Sequence, residues 1–133
     1  MTFQDEHKLE TYKSLIGIST EAFKALQYLN GGAVFAVLTY LGQLERPSVD
    51  VLNYALCPLT FFILGLVSGT LVYVSSYITQ FALYNEKNPN YVGSKHQVWL
   101  YISLTLCILS LALFSVGTFT VLSALTEIAK MSH

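Results

Sequence analysis

A chain of 133 residues with 11% charged and 53% apolar side chains, and a mean hydropathy of +0.53, is too poor in charge to cover a soluble domain. A net charge of −1, from 7 basic and 8 acidic residues, excludes a global basic field for nucleic acid or anionic lipid. Cys57 and Cys107 lie in apolar stretches with no CxxC pair, which argues against a disulfide framework or a zinc site.

Residues 1–8 are polar and are expected to fray. They carry acids and lack the apolar core of a signal peptide, so the first hydrophobic helix is expected to remain as an anchor. From Leu9 a helical period begins, with Tyr12, Leu15, Ile16, Ser19, Phe23, Leu26 and Leu29 on one stripe. Lys13, Thr20, Glu21, Lys24 and Gln27 take the other side. Residues 9–28 therefore read as an amphipathic helix. No turn separates it from the apolar run 25–41, and one helix over 9–41 would be about 50 Å long, against a hydrocarbon core of ~30 Å. Roughly its first third is expected to protrude into water or lie on the membrane surface. Asn30-Gly31-Gly32 is the one weak point, a candidate bend or close-packing site.

Pro47, in the connection GQLERPSVD, closes the first helix. A second apolar stretch follows, and Pro58 suits a first helical turn, so the second crossing is placed at residues 58–82. The hydrophilic loop NEKNPNYVGSKHQ, residues 85–97, precedes a third, charge-free crossing at 98–125. The expected fold is thus all-α: one integral membrane domain over residues 1–133, with three transmembrane helices and the first extended by a cytoplasmic amphipathic helix. Lys8, Lys13, Lys24, Lys87 and Lys95 fall on one side and Arg46 and Lys130 on the other. The positive-inside rule then puts the N-terminus and the 85–97 loop in the cytoplasm and the C-terminus outside. Tyr84, Trp99 and Tyr101 mark the inner interface, Tyr40 and Tyr54 the outer one.

No catalytic signature is present. His7, His96 and His133 fall in tails or loops, no spanning segment pairs carboxylates, and neither a cofactor nor a metal site is expected. What the spans do offer is small and hydroxyl-bearing. Gly65 and Gly69 form a GxxxG pair that lets helices approach closely, within one copy or between copies. Gly31 and Gly32 offer the same on the first helix. Ser68, Ser75 and Thr79 share one face of the second helix, and Ser103, Ser110 and Gly117 repeat at seven on the third. Either seam could pack helices or line a pore. Tyr73 and Tyr77 read as packing residues in need of hydrogen-bond partners.

Three helices cannot enclose an aqueous path alone, so an ion-conducting role needs a ring of copies, a homo-oligomeric bundle such as a tetramer. The stripe at 9, 12, 16, 19, 23, 26 and 30 follows heptad spacing and suits either a coiled coil between copies or lipid-surface binding. In a ring, Lys8, Lys13 and Lys24 would multiply into a basic collar able to hold an anionic nucleotide or oligonucleotide; simple solvation and topology explain the same lysines.

The layout Glu6-His7-Lys8-Leu9-Glu10, then Phe23-Lys24-Ala25-Leu26 and Asn30-Gly31-Gly32-Ala33, resembles small bacterial membrane proteins encoded in anti-phage operons. The nearest in kind are the membrane effectors of the Hailong defence system. The similarity lies in overall size, helix count and the charged N-terminal helix. It implies an oligomeric channel in the bacterial inner membrane, held shut by a DNA oligomer from a partner enzyme, whose opening kills the infected cell. A non-conducting anchor or regulatory subunit of a larger complex, and a phage holin, are the alternatives. Three-span holins usually keep the N-terminus outside and carry a strongly charged tail, whereas TEIAKMSH is nearly neutral.

Overall fold

The computed structural model describes residues 3–45, 48–86, 88, 92–93 and 95–131. They form three helices, α1 (Phe3–Gln43), α2 (Val49–Asn85) and α3 (His96–Met131), joined up-down-up. Arg46, Pro47, Lys87 and His133, used above for topology, helix termination and histidine placement, lie outside the described residues.

Helix α1 starts earlier than the sequence suggested. Residues 3–8 are helical, with Glu6 close to the helix N-terminus, where a carboxylate complements the positive end of the dipole. It then runs unbroken through Asn30-Gly31-Gly32, and no described glycine has a positive φ. The candidate bend is straight helix.

Helix α2 also starts earlier. Ser48 has extended backbone and its Oγ accepts from the Val51 amide at 3.3 Å, while Asp50 sits in the first turn. This is a cap with a favourable charge. Pro58 therefore lies inside the helix rather than in its first turn, and the second helix exceeds the expected 58–82. Helix α3 likewise exceeds 98–125 at both ends.

Helices α2 and α3 are each long and apolar enough to cross a membrane; α1 is not among them by the same measure. Its charge-free run, residues 25–44, is about 30 Å long and is diluted by Gln27 and Asn30. Much of the apolar surface faces outward: Tyr28 is 76%, Phe35 73% and Phe119 71% exposed. Such a surface suits lipid rather than water.

The α2–α3 hairpin is the most extensive contact; α1 packs mainly on α2 and meets α3 at far fewer places. The paired residues fix the register. Tyr12 meets Gln80, Phe23 meets Tyr73 and Gln27 meets Thr70, so the start of α1, the end of α2 and the start of α3 share one end of the bundle, called here the proximal end. Residues 12–28 thus run beside the second half of α2. Only about the first two turns of α1 extend past it.

Candidate functional site

A polar waist joins the three helices at one level. Asn30 is fully buried. Its Nδ2 donates to the Leu26 carbonyl at 3.1 Å and to Ser110 Oγ at 3.2 Å, and Ser110 Oγ donates to the Gly65 carbonyl at 2.8 Å. Asn30 Oδ1 is buried without a hydrogen-bond partner and presses on Gly65. A Cβ at Gly65 would lie 2.8 Å from Asn30 Cγ. With no side chain there, the oxygen faces a Cα hydrogen, a weak contact common between close helices. Turning the amide over would set two oxygens, Oδ1 and the Leu26 carbonyl, against each other. One turn away, Gln27 Nε2 donates to Thr70 Oγ1 at 3.0 Å, and a Cβ at Gly69 would sit 3.2 Å from Gln27 Nε2 and 3.3 Å from Ser110 Oγ. The GxxxG pair therefore receives both amides of α1 and the α3 serine.

The two hydroxyl seams face each other inside the chain. Ser68, Ser75, Thr79, Ser103, Ser110 and Gly117 are all buried. Ser103 Oγ donates to Ser75 Oγ at 2.8 Å, while Ser68, Ser75 and Thr79 bond carbonyls of their own helix at 2.8–2.9 Å. At the opposite, distal side of the waist, Gly117 admits Phe62: a Cβ at Gly117 would lie 2.6 Å from its Cε1. Phe62 in turn meets Phe114 with ring centroids 5.9 Å apart. Gly31 takes part in packing, its Cβ position lying 3.7 Å from Leu66 Cδ1, whereas nothing lies within 4 Å of the one at Gly32.

The heptad stripe of α1 faces the chain's own hairpin most closely from Phe23 onward, whereas Leu9, Tyr12, Ile16 and Ser19 remain exposed. Tyr12 Oη donates to Gln80 Oε1 at 2.6 Å, and the Phe23 ring meets Tyr73 edge-on at 5.6 Å. Leu26 and Asn30 on the same stripe are buried. An apolar stripe at this spacing serves a partner helix equally well in the same chain or another. Tyr77, unlike Tyr73, is 72% exposed.

The three lysines are exposed and do not share one face. At about 100° per residue Lys13 and Lys24 nearly align, and Lys8 stands well round the helix from both. Glu21 Oε1 lies 2.7 Å from Lys24 Nζ, and this hydrogen bond, with the attraction of the carboxylate, raises the Lys24 pKa above the ordinary lysine value. Asp5, Glu6, Glu10 and Glu21 outnumber the lysines of α1.

Two open hollows flank the waist, each lined by all three helices. The proximal one, about 460 Å³, mixes apolar side chains with Ser19, Thr20, Ser76, Thr79 and Gln80, and Cys107 borders it. The distal one, about 250 Å³, is almost wholly apolar, with Tyr40, Tyr54 and Pro58 among its walls.

Among the described residues there is no group of three or more His, Cys, Asp or Glu side chains placed to hold a metal ion. Both cysteines are free. His7 and His96 are helical rather than in tails or loops; His96 Nδ1 lies 2.7 Å from Glu86 Oε2, a pair that is ionic only when the imidazole is protonated.

Of the two expectations for Asn30-Gly31-Gly32, a bend or a close-packing site, the structure shows close packing, with the buried Asn30 amide set against Gly65. A buried amide opposite a GxxxG motif is the natural partner for backbone exposed by missing side chains. No protein-family model, curated protein or solved structure matches the chain.

Proposed function

We propose that this chain is the subunit of a homo-oligomeric membrane channel, opened from the cytoplasmic side, serving as a lethal effector in anti-phage defence. Helices α2 and α3 supply two crossings. The charge-free stretch of α1 supplies a third, because Gln27 and Asn30 spend their polarity on Thr70, Ser110 and the Gly65–Gly69 surface rather than on lipid. The lysine bias orients the proximal end toward the cytoplasm of a bacterial inner membrane.

The observation that carries the reading is the proximal hollow. Its walls are mainly apolar but carry Ser19, Thr20, Ser76, Thr79, Gln80 and Ser103, and it is open on the flank of the bundle, incomplete in one copy. A ring of copies, such as a tetramer, closes such openings into a path. The gating ligand is then anionic, a nucleotide or DNA oligomer made by a partner enzyme, held at the cytoplasmic mouth by Lys8 and Lys13, with Lys24 partly neutralised by Glu21. Expression in bacteria with a potential-sensitive dye tests the reading. Depolarisation together with an oligomer in mild detergent supports it; a monomer with an undisturbed potential sinks it.

One observation favours a second reading, a non-conducting anchor or regulatory subunit. Every seam hydroxyl is satisfied inside the chain, so the seams need no water. A stoichiometric partner co-purifying without ion flux selects that reading. A topology reporter at residue 1 separates both from a holin, whose N-terminus lies outside.

A further inference from the structure

The tightest attachment of α1 is at one level. Among its described residues only Leu26 and Asn30 are buried, one turn apart. Asn30 and Gln27 meet the two glycines of α2 there, Gly65 and Gly69. Beyond this waist the helix stands away from the hairpin in both directions, leaving about 460 Å³ on the proximal side and about 250 Å³ on the distal side. The helix is unbroken through its glycines, so its two arms move together. On the proximal arm two side-chain hydrogen bonds reach the hairpin, Gln27 to Thr70 beside the waist and Tyr12 to Gln80 near the end, both exposed, with the Phe23–Tyr73 ring contact between them.

From these features we infer that α1 is a rigid lever, pivoting where Asn30 seats on Gly65 and latched at its proximal end by Tyr12 and Gln80. Closing the proximal hollow opens the distal one, and the reverse. The arm from Asn30 to Tyr12 is about 27 Å, and from Asn30 to Gln43 about 20 Å. A tilt of ~10° therefore displaces the proximal end by about 5 Å and the distal end by about 3 Å in the opposite sense. The hollows give this motion its room, and lipid chains fill whichever one is open. The inference goes beyond the channel reading and does not depend on conductance, since an anchor could carry the same lever.

Paired spin labels test it in lipid nanodiscs. The background is cysteine-free (Cys57→Ser, Cys107→Ser), and labelled chains are diluted with unlabelled ones so that distances within one chain are read. Labels replace exposed residues: Ile18 with Tyr101 across the proximal hollow, and Leu38 with Leu122 across the distal one. Tyr12→Phe removes the latch hydroxyl from an exposed site and leaves the waist intact. With arms of about 18 Å to residue 18 and about 12 Å to residue 38, the lever requires the proximal distance distribution to shift by about 3 Å, with the distal distribution changing by about 2 Å in the opposite direction. A proximal change without a distal one overturns it, because the helix then frays or bends instead of pivoting. Unchanged distributions in both pairs overturn it as well.

Discussion

Asn30 occupies the space that a side chain at residue 65 would need: a Cβ on Gly65 would lie 2.8 Å from Asn30 Cγ. The glycine and the amide are thus one device. Removing the side chain on α2 lets the backbone of α1 come close, and the buried amide bonds a turn of its own helix and the α3 serine.

Alanine substitutions should rank the glycines by what their Cβ meets. Gly65→Ala forces Asn30 aside and should destabilise the bundle by about 1–3 kcal/mol. Gly69→Ala should cost less, because its neighbour at 3.2 Å is the end of the flexible, half-exposed Gln27 side chain. Gly32→Ala meets nothing within 4 Å and should be neutral or stabilising by about 0.5–1 kcal/mol. Unfolding in mixed detergent micelles measures all three; equal effects at 65 and 32 would contradict the packing described.

Asn30 and Ser110 should be energetically coupled. A double-mutant cycle with Asn30→Ala and Ser110→Ala is expected to give a coupling of about 0.6 kcal/mol, below ~2 kcal/mol, the range of hydrogen bonds between membrane helices. Additive effects would mean that the 3.2 Å contact contributes nothing.

Gly117 and Phe62 make a second such pair. Gly117→Ala drives a Cβ into a ring that is 2% exposed and should destabilise by about 1–3 kcal/mol. Phe62→Leu vacates the ring position, so the double variant should be more stable than the sum of the single effects. The same unfolding assay reads the difference.

If an anionic ligand binds the cytoplasmic mouth, Lys8→Gln and Lys13→Gln should each weaken it in a salt-dependent manner, while Glu21→Gln should strengthen it by freeing Lys24. Because the Lys24 pKa is raised, the ion pair is fully present below the ordinary lysine value. It is lost only as pH climbs through the raised value, so changes near neutrality leave this lysine engaged. Anisotropy of a labelled oligonucleotide in detergent reads the series; indifference to all three variants would remove the collar from the account.

The helix count and the two seven-residue seams were legible because buried hydroxyls and glycines in an apolar run mark a helix–helix contact. Their role was not legible, since a packing seam and a pore wall use the same residues; the Ser103–Ser75 and Ser110–Gly65 bonds show the two faces meeting. The heptad stripe of α1 carried the same ambiguity, and the chain satisfies it with its own α2 through Tyr12 and Phe23. Pro58 misled because it suits a first turn, while Ser48 and Asp50, three residues apart at most from the first helical amides, held the true start. For Asn30-Gly31-Gly32 a bend and a close-packing site were both open, because glycines beside an amide suit either. Asn30's partners, Gly65 and Ser110, are distant in sequence.

The most direct test of the central claim is electrical recording from the purified protein in planar lipid bilayers, with insertion verified by density flotation. The account predicts discrete unitary steps of reproducible size, reflecting a closed ring of defined stoichiometry. Silent bilayers that hold inserted protein, or graded leakage without a unit step, would contradict it.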